Sequence, residues 1–146
     1  GVLVMKKELI VVRGGGDIAT GTIYKLHKCG YRVLVLEIEK PSAIRRNVAF
    51  SEAVYDENTK VEDVTARLVH SLEEAEKIMD ENEVAVLIDP TCSCLESLKP
   101  IAVVDAILAK KNLGTNKCMA PITVAPPTPR AVIKTIFINI HSFINP

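Results

Sequence analysis

Tryptophan is absent from this 146-residue chain and aromatic residues make up only 4% of it. Stacking platforms of the kind that hold single-stranded nucleic acid are therefore not expected. Eighteen basic residues balance eighteen acidic ones, giving a formal net charge of +0. Such a balance gives no electrostatic case for nucleic acid or for an anionic membrane surface. No apolar run approaches the roughly 18 residues that a membrane-spanning helix requires, and the stretch from Gly1 to Met5 lacks the layout of a signal peptide. Met5, with Lys6 and Lys7 behind it, reads as a natural start, and the expected compartment is the cytoplasm.

Cysteine is also sparse, at four residues. Cys92 and Cys94 form a single C-x-C pair, while Cys29 and Cys118 show no matching spacing, so no metal site is expected. Without a secretory context the thiols are expected to be reduced. A sulfur-handling role for Cys92 or Cys94 would need a helix terminus that lowers a thiol pKa, and ordinary half-buried loop thiols are the simpler reading. His70 and His141 stand alone in sequence and suggest no site.

Hydrophobic residues make up 48% of the chain, enough for one domain with a sizeable core. The organising stretch is Glu8 to Glu39, ELIVVRGGGDIATGTIYKLHKCGYRVLVLEIE. Leu9 to Val12 is short, apolar and rich in β-branched residues, as expected of a buried parallel strand. Gly14, Gly16 and Ala19 then fit the G-x-G-x-x-[GA] dinucleotide fingerprint. A helix over Ile18 to Lys28 follows, stopped by Gly30, and Val33 to Ile38 reads as the second strand. Glu37 falls about 20 residues beyond the glycines, where the fingerprint places an acid that accepts ribose hydroxyls. The expected site thus contains the turn Gly14, Gly15, Gly16 and Asp17 together with Glu37, with backbone N–H groups at the helix start facing an anion. Asp17 is dissonant there, because a carboxylate in a phosphate-binding turn repels the ligand unless it serves the helix end.

Downstream, Arg45 and Arg46 could hold a phosphate or a carboxylate through their guanidinium forks, or could simply be a solvated basic pair balanced by Glu37, Glu39 and Glu52. Arg13, directly before the glycines, is a further candidate for the first anion. Val48 to Tyr55 has mixed spacing that suits a strand or a short helix. Ser71 reads as the N-cap of a helix running to about Asn82, with Glu73 and Glu74 in its first turn. Val84 to Ile88 is another buried strand, and it brings Asp89 to Cys94 to the edge that carries the glycine turn. Pro100 to Ala109 opens like a strand with Asp105 interrupting it, or a helix runs from Asp105 to Lys111; Lys110 and Lys111 end the element, and Pro121 to Val124 reads as one more strand. The composition changes after Ala125, and Ile133 to Ile144 alternates in part like a strand.

Together, RGGGDIATG, LEIEKPSAIRRNVAFSEAVYD, VEDVTARLV, VLIDP and VVDAILAKKNLGTNKCMAPITVA resemble the selenium-dependent molybdenum hydroxylase accessory protein family, in the same order. The E-x-E-x-P-x-A-I-R-R segment is the most specific of these. The resemblance implies a Rossmann-like domain that assists maturation of a molybdenum hydroxylase client. It supports Gly14, Gly16, Asp17, Thr20 and Gly21 as one motif, Glu37, Glu39, Arg45 and Arg46 as another, and Asp89, Asp105, Lys110 and Asn112 as polar positions near strand ends. After Ala125 the pattern departs from the family, which continues with a glycine-rich segment and a further domain-sized stretch.

The expected architecture is α/β: a Rossmann-like three-layer sandwich with a mostly parallel sheet over residues 1–125, altered or truncated toward the C-terminus, where 126–146 form an atypical tail or an added strand. The expected ligand is NAD(P) or another nucleotide, or transiently the molybdenum cofactor. An unfinished sheet edge would invite a homodimer. An NAD(P)-dependent oxidoreductase and a non-catalytic nucleotide-binding module remain the alternatives. No catalytic residue is identified, and Tyr24 and Lys28 on the first helix are read as structural.

Overall fold

The structure is a computed structural model that describes residues 7–41, 43, 46–106 and 136–139. Its centre is a seven-stranded sheet in which β1 (Leu9–Arg13) and β2 (Arg32–Glu37) lie side by side. The remaining strands are β3 (Asn58–Val61), β4 (Val64–Val69), β5 (Val84–Ile88), β6 (Ala102–Asp105) and β7 (Ile136–Asn139). The order across the sheet is β3-β4-β5-β2-β1-β6-β7, and every neighbouring pair is parallel except the β3–β4 hairpin.

Burial on both faces explains why the central strands are continuous apolar runs rather than alternating ones. On one face Ile10, Val12, Val33, Val35, Val84 and Val86 pack with Ala19 and Ile23 of α1 (Asp17–Lys28). Phe50 and Ala53, the latter at the start of the short helix α2 (Ala53–Asp56), complete that layer. On the other face Val11, Leu34, Leu36, Ala85 and Val103 meet Ala75 and Met79 of α3 (Leu72–Asp80), together with Cys92 and Cys94. Helices thus cover both faces, and the chain folds as a three-layer α/β sandwich with a Rossmann-like βαβ start.

Local chemistry sets the element ends. Ser71 caps α3 by accepting from the Glu74 N–H at 3.2 Å, and the Glu74 carboxylate accepts from the His70 N–H at 3.1 Å. Gly30 follows α1 at φ +97°, a conformation that glycine adopts without a Cβ penalty. Where Val48 to Tyr55 left strand and helix open, the chain makes two 3-10 turns, Arg46–Val48 and Phe50–Glu52, and then α2. Asp105 ends β6 rather than interrupting it. The Pro121 to Val124 strand expectation, Lys110, Lys111, Asn112 and Cys118 lie outside the described residues, as does Arg45. Within the tail, 136–139 extends the sheet beside β6, with Ala102 opposite Ile136.

Candidate functional site at the carboxyl edge of the sheet

Parallel pairing carries the ends of β5, β2, β1 and β6 to one edge, side by side. The chain leaves β1 for β2 through α1 on one face, and passes from β5 to β6 through residues 89–101 on the other. Those diverging connections make the β1/β6 boundary the topological switch point, the place where open α/β sheets receive ligands.

The three glycines there do different work. Gly14 turns the chain at φ +90°, its N–H donating to the Leu36 carbonyl at 2.8 Å. Gly15 is needed for space: a Cβ there would lie 3.0 Å from the Ser51 nitrogen and 3.2 Å from Val35 Cγ1. Gly16 precedes α1 in an extended conformation and caps it with no side chain, and among the described residues no atom beyond its chain neighbours lies within 4 Å of where a Cβ would sit. Gly21 is equally open, on the exposed side of α1.

A clamp behind the turn holds it in place. The Ser51 N–H donates to the Gly15 carbonyl at 2.8 Å, and the Phe50 N–H donates to Thr20 Oγ1 at 3.1 Å. The Thr20 hydroxyl in turn donates to the Gly16 carbonyl at 2.7 Å, with the Gly15 carbonyl at 3.1 Å. Thr20 is therefore a buried fastener between the turn and the 49–53 segment. This clamp draws the segment after the arginines onto the glycine motif, and the Arg46–Val48 turn touches α1. Sequence patterning missed the clamp, since Ala49, Phe50, Ser51 and Ala53 are buried without helical or strand periodicity.

Glu37 sits against the turn. Its Oε1 accepts the Gly15 N–H at 2.5 Å and its Oε2 accepts the Ile38 N–H at 3.0 Å. Burial pushes this carboxyl above the ordinary glutamate range, against the pull of those two N–H groups. Each oxygen keeps a further lone pair that a hydroxyl could meet. Glu39, two residues on, is exposed. Asp17 is the first residue of α1, half-buried, where a carboxylate meets the positive end of the helix dipole, while Gly16 takes the N-cap position.

Asp89 begins the loop after β5. Its Oδ1 accepts the Ser93 N–H at 3.1 Å and the Ser93 hydroxyl at 3.2 Å, and its Oδ2 accepts the Cys94 N–H at 2.9 Å. The Thr91 hydroxyl adds a contact at 3.3 Å. Burial raises the Asp89 carboxyl, but the Cys94 and Ser93 donors outweigh it and leave the group below the ordinary aspartate range. Cys94, by contrast, is held strongly protonated by burial, by the hydrogen bond it donates to Asp89 and by the charge on that carboxylate. Such a thiol is a poor nucleophile. Cys92 is buried in a left-handed conformation at φ +57°.

Arg13 and Asp105, the last residues of β1 and β6, are register partners and are both 3% exposed. Arg13 Nη1 lies 3.7 Å from Asp105 Oδ2 and has no hydrogen-bond partner among the described residues. That separation makes an ion pair but not a hydrogen bond. The expectation that Arg13 simply joins an anion site thus meets a carboxylate already at its side. Tyr24 and Lys28 are engaged elsewhere: the Tyr24 hydroxyl donates to Asp63 Oδ1 at 2.7 Å and Lys28 Nζ to Oδ2 at 2.6 Å, tying α1 to the β3–β4 turn. Among the described residues no cluster of three or more His, Cys, Asp or Glu could hold a metal ion, and no helix is long and apolar enough to cross a membrane.

No protein-family model matches the chain, and no solved structure matches it. Over 118 residues it is 52% identical to the uncharacterized protein YqeB of Escherichia coli (strain K12), an alignment covering 81% of this chain and 22% of that protein. The chain spans about a fifth of this relative.

Proposed function

We propose that this chain provides the nucleotide- or cofactor-binding unit of an accessory factor for a selenium-dependent molybdenum hydroxylase, as the sequence resemblance implies. The observation that carries the binding part is Gly16. Its backbone opens an uncapped helix at the carboxyl edge of the sheet, and among the described residues no packing accounts for the missing side chain. Phosphate oxygens approaching there would meet the first-turn N–H groups of α1. A sugar hydroxyl would meet Glu37, and Arg45 and Arg46 would hold a second anionic group or the client enzyme. The Gly15 N–H is already taken by Glu37, so the first turn of α1 supplies the donors. NAD(P), another nucleotide and the nucleotide-like part of a molybdenum cofactor all fit this cradle in kind.

Calorimetric titration of nucleotides and molybdopterin species against the protein and a Gly16→Asp variant tests the cradle. Binding to the first and none to the second is expected; equal behaviour of the two proteins removes the site. The accessory role predicts loss of hydroxylase activity when the protein is deleted, with no turnover of reduced nicotinamide cofactors by the protein alone.

A further inference from the structure

A guanidinium taken out of water is normally fully hydrogen-bonded, because each orphaned donor carries its desolvation penalty uncompensated. Arg13 departs from that rule at the switch point, with Nη1 buried and unpartnered among the described residues. Arg32 carries the other orphaned nitrogen in that set, but at the opposite edge and beside Glu76, which is 47% exposed. Arg13 has instead a buried carboxylate beside it and a ligand edge above it.

Charge decides what that donor can receive. The described strand ends at this edge carry three buried acids, Glu37, Asp89 and Asp105, against the one buried base. Asp105 already neutralises Arg13, so a phosphate brought to Nη1 would be a net excess of negative charge in a poorly solvated place. A carbonyl oxygen accepts the same N–H without adding charge. Asp105 is in register beside it, and a carboxylate offers about four acceptor positions, so it can take a neighbouring ring N–H while keeping its present contacts.

The geometry points to Arg13 and Asp105 as a recognition edge for a neutral planar heterocycle that presents a ring carbonyl next to a ring N–H, the lactam edge shared by guanine-type bases and pterins. This rests on the reading that the carboxyl edge is the ligand side, and adds the chemistry of the part that lies beyond the phosphate cradle. Both side chains are 3% exposed, so a ligand reaches them only with local opening at the ends of β1 and β6.

The test uses guanosine, pterin and inorganic pyrophosphate as calorimetric probes of the whole chain, of the Arg13→Lys variant, of an Arg13→Met and Asp105→Leu double variant, and of Gly16→Asp. Removing both charges together spares the fold the stranded partner that a single change leaves. At least one of the two lactams should bind the unaltered protein, guanosine pointing to a nucleobase and pterin to a pterin. The double variant should weaken that binding at least tenfold and leave pyrophosphate unchanged, and Arg13→Lys, which keeps the charge but loses the fork, should behave alike. Absence of lactam binding to the unaltered protein, unchanged lactam binding in the double variant, or loss of pyrophosphate binding in Arg13→Lys would each overturn the proposal. Pyrophosphate binding that survives in Gly16→Asp would sink the glycine cradle alone, leaving the Arg13 result to stand or fall separately.

Discussion

Adding one methyl group at Gly15 should destabilise the fold and at Gly16 should not, although the residues are adjacent in the same motif. At Gly15 the new carbon meets the Ser51 nitrogen at 3.0 Å, Val35 Cγ1 at 3.2 Å and Ser51 Cα at 3.4 Å. Neither neighbour yields easily. Ser51 is held by its own hydrogen bond to the Gly15 carbonyl, and Val35 is a β-branched side chain with no exposure in the middle of the sheet. Overpacking of this kind costs about 1–3 kcal/mol, while replacing glycine recovers about 0.4–1 kcal/mol by restricting the unfolded chain. The midpoints of these ranges give an expected net loss of about 1.3 kcal/mol, a fall in Tm of about 4 °C for a domain of this size. At Gly16 the methyl group enters open space from an ordinary φ of −73°, so the unfolded-state gain is opposed only by the weaker capping of alanine. Gly16→Ala should melt close to the parent. Thermal melts followed by circular dichroism, with amide exchange at Ser51 as the local probe, separate the two cases. A Gly15→Ala protein as stable as the parent, or a Gly16→Ala protein as damaged as Gly15→Ala, refutes the division of labour between them.

Asp89→Ala should destabilise by about 1–3 kcal/mol, the cost of leaving buried donors without their acceptor, and should speed amide exchange at Ser93 and Cys94, whose N–H groups it now accepts. Hydrogen bonds from Lys28 and then Tyr24 hold the Asp63 carboxyl down to about 2. A lowered carboxylate contributes above its ordinary range and loses that contribution as pH falls through its folded value. The contact of α1 with the β3–β4 turn should therefore persist through pH 4 and loosen toward pH 2, as read from the Tyr24 ring and Lys28 Nζ resonances; loosening already near neutral pH would contradict it. Site-resolved alkylation should label the exposed Cys29 well before the buried, protonated Cys94. Rapid labelling of Cys94 in the folded protein would mean that its surroundings are misread.

The sheet was largely legible because its strands are short apolar runs with abrupt ends. Val84–Ile88 is read to the residue, β1 and α1 differ from the sequence expectation by one residue at one end, and β2 is shifted by one residue at both ends. Ser71, Glu73 and Glu74 announced α3 by capping chemistry, which is local and needs no tertiary context. The stretch from Arg46 to Asp56 was not legible for the converse reason. Its buried residues are placed by hydrogen bonds to Gly15 and Thr20, about thirty residues earlier, so no internal period records them. The Arg13–Asp105 pair is likewise a product of register between strands far apart in sequence, although a charged residue ending an apolar run marks each partner.

The fingerprint itself changes meaning once its glycines are separated. A match to G-x-G-x-x-[GA] treats the glycines as one signal, yet the fold alone requires Gly14 for its positive φ and Gly15, the position that the pattern leaves unspecified, for its crowding. Those two would be glycine in a protein that bound nothing. Gly16 is demanded neither by its conformation nor by packing among the described residues, and glycine is a weaker N-cap than serine by only a few tenths of a kcal/mol. Gly16→Ser should therefore leave stability unchanged or slightly raised while hindering any ligand that approaches the backbone there. A serine variant that keeps full affinity for every nucleotide the parent binds would show that the smallness of residue 16 has no ligand behind it, and the case for a phosphate cradle would lose its footing in the structure.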